Sequence, residues 1–348
     1  MTSPAQVPIP LSPARQLAAA WYFNELWGWS PQEVPPPEAL SAFMKALLVC
    51  ANGDGRLSDE ERRWVLERAA IAGATDSSLE ELSQYDADDD IEALLAATGD
   101  TNETRPSLIY AAIKAASADR DYADAERRVI GQAARALGVE SAEVAAIERI
   151  VRREERLKQE RLCICFPEGN PFEPARRRPN ARLAQGESRT IGRARELAAR
   201  WYYRELWGWQ LDDISCGCGR GTFLKALMIC ANGDGLLTGA ERSWVLGRAA
   251  AAGAPEALLQ ELDSYPADES LDVVVHRTPA TDRSRRAIIY LAILAARSDQ
   301  NYAGGERRAI QHAAARLGLR EEEMSALEHL IAAEAHMKTE RVARCLTG

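Results

Sequence analysis

The chain of 348 residues repeats itself at a spacing of 180, and this constrains its fold more than any other feature. "ARQLAAAWYFNELWGW" from Ala14 returns as "ARELAARWYYRELWGW" from Ala194, and the register holds without a gap. All eight tryptophans obey it: Trp21 with Trp201, Trp27 with Trp207, Trp29 with Trp209 and Trp64 with Trp244. Large rings in matched places mean two cores packed alike. The repeat predicts two homologous domains, residues 14–168 and 194–348. They follow an N-terminal extension, 1–13, and are joined by a linker, 169–193, rich in Pro, Gly and Arg.

Each half also repeats within itself. "GDGRLSDEERRWVLERAAIAGA" from Gly53 resembles "ADRDYADAERRVIGQAARALGV" from Ala118, at an offset of 65. One unit, an Asp followed seven residues later by a Glu that opens a helix, therefore occurs four times. Its members are Asp54 with Glu61, Asp119 with Glu126, Asp234 with Glu241, and Asp299 with Glu306.

The periodicity is that of helices. Leu40, Phe43, Met44, Leu47 and Leu48 form a stripe on one helix face. Ser58 to Glu61 and Thr238 to Glu241 read as capping boxes. The only β-branched run, "LDVVVH" near Val273, aligns with "IEALLA", which reads as helix. The expected fold is all-α: two homologous helical bundles, each with an internal pseudo-two-fold repeat.

The acidic units have two accounts. With Gly55 at the sixth place of a calcium loop, Asn52, Asp54, Leu57 and Glu61 fall where an EF-hand wants them. The first place, however, is Cys50, and Cys230 in the second half. A thiol is a poor ligand for a hard cation, and Cys50 ends an apolar stripe, so a buried thiol is expected there. In the other account Asn-Gly-Asp-Gly makes a tight turn and Glu61 caps a helix. Capping alone does not explain all four glutamates, because Ala123 and Ala303 stand where the capping hydroxyl should be. The tryptophans of the "WYxxELWGW" segment read as a packed corner of the core, with a ligand cleft or partner groove as the other possibility.

The doubled spacing, "CANGDGRLSDEERRWVLERAA" followed by "AASADRDYADAERRVIGQAARALGV", resembles the TerB-like domain of the tellurite-resistance and DjlA N-terminal superfamily. It covers about residues 43–137 and 223–317. The Gly of the second unit is replaced by Arg120 and Gln300. The resemblance implies a compact helical bundle, a stress-response setting, and action through protein partners. It also implies a divalent cation, Ca²⁺ or Mg²⁺, held by Asp54, Glu61, Asp119, Glu126, Asp234, Glu241, Asp299 and Glu306.

Composition narrows the remaining classes. A net charge of −9 argues against a general nucleic-acid binder. No apolar run reaches the roughly 20 residues of a membrane span. The N-terminus lacks the basic and apolar regions of a signal peptide, and seven cysteines do not suggest a disulfide framework, so a cytoplasmic setting is expected. No nucleotide loop or nucleophile motif accompanies the carboxylates. The expectation is a non-catalytic binding or scaffold protein. A calcium sensor or buffer is the first alternative, and an enzyme using the acidic pairs as general acid and base is the second.

Overall fold

A computed structural model describes residues 11–52, 57–96, 101–119, 124–173, 191–214, 219–233, 235, 237–299 and 304–346. Among these are seventeen α-helices and no strands. The first half carries α1 (Pro13–Trp27), α2 (Pro37–Ala51), α3 (Asp59–Ile71), α4 (Asp76–Gln84), α5 (Ile91–Ala96), α6 (Thr101–Ala116), α7 (Asp124–Ala136) and α8 (Ser141–Cys165). The second carries α9 (Arg193–Trp207), α10 (Arg220–Ala231), α11 (Gly239–Ala251), α12 (Glu256–Asp263), α13 (Leu271–Val275), α14 (Pro279–Asp282), α15 (Arg285–Ala296), α16 (Gly304–Arg316) and α17 (Glu321–Cys345). The "LDVVV" run is helical, as α13.

Helix boundaries follow local chemistry. Ser58 caps α3 and Thr238 caps α11, each by accepting from the backbone N–H of the glutamate three residues on. The glycine of "ELWGW" stops α1 and α9. Gly28 (φ 73°) and Gly208 (φ 62°) are left-handed, a conformation that glycine adopts without steric cost. The reversal lays Trp29 flat on Phe23, with ring centroids 5.4 Å apart. Cys50 and Cys230 are buried at the ends of apolar stripes, and burial pushes both thiols up to about 12.

The segment the sequence left least explained, "WYxxELWGW", joins the two halves. Helix α1 lies along α11, and α9 lies along α3. Where α1 passes α9, Trp21 meets Tyr202 at 5.8 Å and Tyr22 meets Trp201 at 5.1 Å, a reciprocal pair of ring contacts. A second crossing is made by α8 and α17. Arg161 reaches Glu334 at 3.1 Å, and Arg341 pairs with Glu154. The residue numbers ascend on one helix as they descend on the other, so the helices run antiparallel. These contacts relate the halves by an approximate two-fold axis. Past α8, Phe166 packs against both Trp207 (5.1 Å) and Trp209 (4.8 Å) of the second half, which stack on each other.

The two equivalent helix contacts differ at several positions, and one of them decides how each is closed. In α11 it is Gly247, and an added Cβ there would stand 2.7 Å from Trp21 Cβ and 2.9 Å from the Leu17 carbonyl oxygen. In α3 it is Glu67, whose carboxylate lies 2.7 Å from an Arg204 guanidinium nitrogen. Arg204 in turn replaces Asn24. One side is closed by direct helix packing and the other by a buried ion pair.

Candidate functional site: the acidic units and the cavity on the axis

The four glutamates of the acidic units share one structural address. Glu61, Glu126, Glu241 and Glu306 are each the third residue of a helix, in α3, α7, α11 and α16. A carboxylate there reaches back to the cap and faces the positive end of the helix dipole. Glu61 Oε2 accepts from the Ser58 backbone N–H (2.9 Å) and hydroxyl (2.8 Å). Glu241 Oε2 does the same with Thr238, at 2.7 and 2.9 Å. Glu241 is 1% exposed. Glu126 and Glu306 are half-buried.

Asp54 and Asp234 lie outside the described residues, as do the side chains of Asp119 and Asp299 and the cap positions Ala123 and Ala303. Among the described residues no three Asp, Glu, His or Cys side chains are placed to share an ion. Asn52, the third place of the calcium-loop reading, donates its amide to the Ala87 carbonyl at 3.2 Å. Asn232 repeats this with Ala267. Ala87 and Ala267 both have φ of 57°, so each asparagine braces a left-handed turn.

A second site lies where the two halves meet. A cavity of about 320 Å³ opens there, lined by α1, α3, α6, α8, α9, α11, α15 and α17. Its walls come in related pairs: Trp64 and Trp244, Tyr110 and Tyr290, Glu154 and Glu334, Arg161 and Arg341, Lys158 and Lys338, and Glu25 and Glu205. Tyr110 donates to Glu154 at 2.8 Å, and Glu154 pairs with Arg341, which also donates to the Leu26 carbonyl. Tyr290 donates to Glu334 at 2.6 Å, and Glu334 pairs with Arg161, which donates to the Leu206 carbonyl at 2.8 Å. Each arginine therefore ties the last turn of a "WYxxELW" helix to the long helices α8 and α17. Arg161 also stands over the Trp207 ring, and Arg341 over the Trp27 ring. The indole N–H groups of Trp64 and Trp244 donate to Glu205 (2.9 Å) and Glu25 (3.3 Å) across the halves.

The pairing breaks in two places. Glu205 meets Lys114 at 2.7 Å, and Lys158 meets Glu155 at 2.6 Å. At the related positions the chain has Leu294 and Ala335. The consequence is electrostatic. Burial works to raise the Glu205 carboxyl, but Lys114, Arg204 and Lys158 hold it well below the usual carboxylate range. Lys338 is left with the Asn24 backbone carbonyl at 2.6 Å and no carboxylate within 4.0 Å among the described residues. Burial pulls its ammonium below the usual lysine range, with Glu25 opposing and Arg341 assisting.

Sequence reasoning did not find this cavity. The available signal was that the aromatic segment occurs once per half, whereas the acidic unit occurs twice. A feature with one copy per half is the kind that a contact between halves uses.

No family model and no curated protein matches the chain. Among solved structures it is similar to a tellurite resistance protein from Nostoc punctiforme. Identity is 27%, covering 44% of this chain and 94% of that one, with a TM-score of 0.41.

Proposed function

We propose that the chain is a non-catalytic helical binding protein of a stress-response type, acting through protein partners and carrying divalent cations at its paired Asp-x6-Glu units. The observation behind this reading is the shared address of the four glutamates. Each is the third residue of a helix. Where the cap is described, at Glu61 and Glu241, one carboxylate oxygen takes both the backbone N–H and the hydroxyl of the cap residue, seven positions after Asp54 or Asp234 in the sequence. A carboxylate fixed in this way is pre-organised as a hard-cation ligand. The resemblance of the doubled unit to the TerB-like domain supports the same reading. The absence of enzyme chemistry is part of the proposal. It rests on the buried carboxylates at the axis, which are engaged by arginine, lysine, tyrosine or indole N–H groups.

Calorimetric titration with Ca²⁺ and Mg²⁺ tests the reading. The expected result is saturable heat with one or two ions per half, reduced by Asp54→Asn together with Asp119→Asn while the helical circular dichroism is kept. Absence of saturable heat with either ion contradicts it.

A further inference from the structure

The cavity on the axis has two unlike ends. At the end near α3, Lys114, Glu205, Lys158 and Glu155 neutralise one another. At the end near α11 the two substitutions act together. Leu294 replaces the lysine and Ala335 replaces the glutamate, so apolar surface takes the place of one charge pair and Lys338 loses its acidic neighbour. A mostly buried ammonium with no carboxylate at ion-pair distance, Glu25 acting on it only from farther off, is incompletely compensated, and an anion supplied from solution relieves it. The surroundings of that ammonium are not those of an inorganic-anion site. Trp244, Leu294, Ala335 and Ile331 offer an aromatic face and aliphatic walls. The Trp244 ring is held in place by the bond to Glu25 and by Arg248 at 5.5 Å over its ring. Binding sites for small organic molecules combine such apolar walls with a few fixed polar anchors.

We propose that this end of the cavity binds a small, flat organic carboxylate, its acid group paired with Lys338 and its body lying against Trp244, Leu294 and Ala335. The site involves none of the Asp-x6-Glu units and goes beyond the cation reading, so either can fail while the other holds.

The test uses the intact chain, following tryptophan fluorescence and calorimetric heat with sodium benzoate, benzamide and inorganic phosphate as probes. Benzoate is expected to bind saturably with a Kd of about 1 mM or tighter. Benzamide, which lacks the charge, should bind at least about tenfold more weakly. Lys338→Met should weaken benzoate at least about tenfold, and Lys338→Arg should retain most of the binding. Ala335→Glu restores to Lys338 the neighbour that Lys158 has, and should weaken benzoate to a similar degree without removing the lysine. It serves as the informative variant should Lys338→Met fail to fold. With the wild-type chain, any of three results overturns the proposal. These are no saturation with benzoate, equal affinity for benzoate and benzamide, or phosphate competing at equal strength, which would make the site one for inorganic anions. Unchanged benzoate affinity in Ala335→Glu also overturns it.

Discussion

At the residue scale, Glu67 carries the sharpest consequence. It is 3% exposed in the contact between α3 and α9. Burial raises its carboxyl to about 7, although Arg204 stands beside it. A carboxyl whose folded value is raised contributes stability at low pH, and that contribution is lost as pH climbs through about 7. Thermal unfolding of the wild type and Glu67→Gln at pH 5 and pH 8 should therefore diverge. The wild type should lose on the order of 1–3 kcal/mol relative to the variant on going to pH 8. A constant difference between the two proteins would count against this. The caps give a second expectation. Ser58→Ala should cost about 1 kcal/mol in chemical denaturation, because it orphans the Glu61 N–H and removes one of the two bonds held by the Glu61 carboxylate, the one from the backbone N–H of residue 58 remaining. These roles differ in how far the sequence revealed them. The capping boxes were legible because a box lies within four consecutive residues. The environment of Glu67 was not, because Arg204 is 137 positions away and no local pattern joins them.

At the element scale, the helices were legible and their partners were not. Periodicity and caps located α2, α3, α10 and α11, and the aromatic segment read correctly as buried. What the rings of α1 and α9 are buried against is set by tertiary contact, and hydrophobic pattern does not distinguish a domain's own core from its neighbour's. The close approach of α1 to α11 depends on Gly247. Gly247→Ala places a methyl against the Trp21 Cβ and a backbone oxygen, neither of which yields cheaply. A loss of about 1–3 kcal/mol is expected in denaturant titration. Gly239→Ala, with open space at its Cβ, is the control and should be neutral or mildly stabilising. Equal effects at both glycines would mean that the α1–α11 contact is looser than described.

At the scale of the whole molecule, the two halves share one continuous hydrophobic core, which predicts that they unfold together. Their shared surface contains the tryptophan and tyrosine rings of α1 and α9 and two Tyr–Glu–Arg relays. It also contains the indole bonds to Glu25 and Glu205. Neither half keeps these groups buried and partnered without the other. Glu154→Ala leaves the Arg341 guanidinium buried without its carboxylate, and should cost about 3 kcal/mol by lowering the stability of both halves together. The repeat in the sequence announced two copies of one architecture. It could not announce that they close on each other, since the same repeat would serve two beads on a string. The most direct measurement is differential scanning calorimetry of the intact chain. The account predicts one cooperative transition, with the calorimetric enthalpy equal to the van't Hoff enthalpy. Two separable transitions, each with about half the enthalpy, would contradict it.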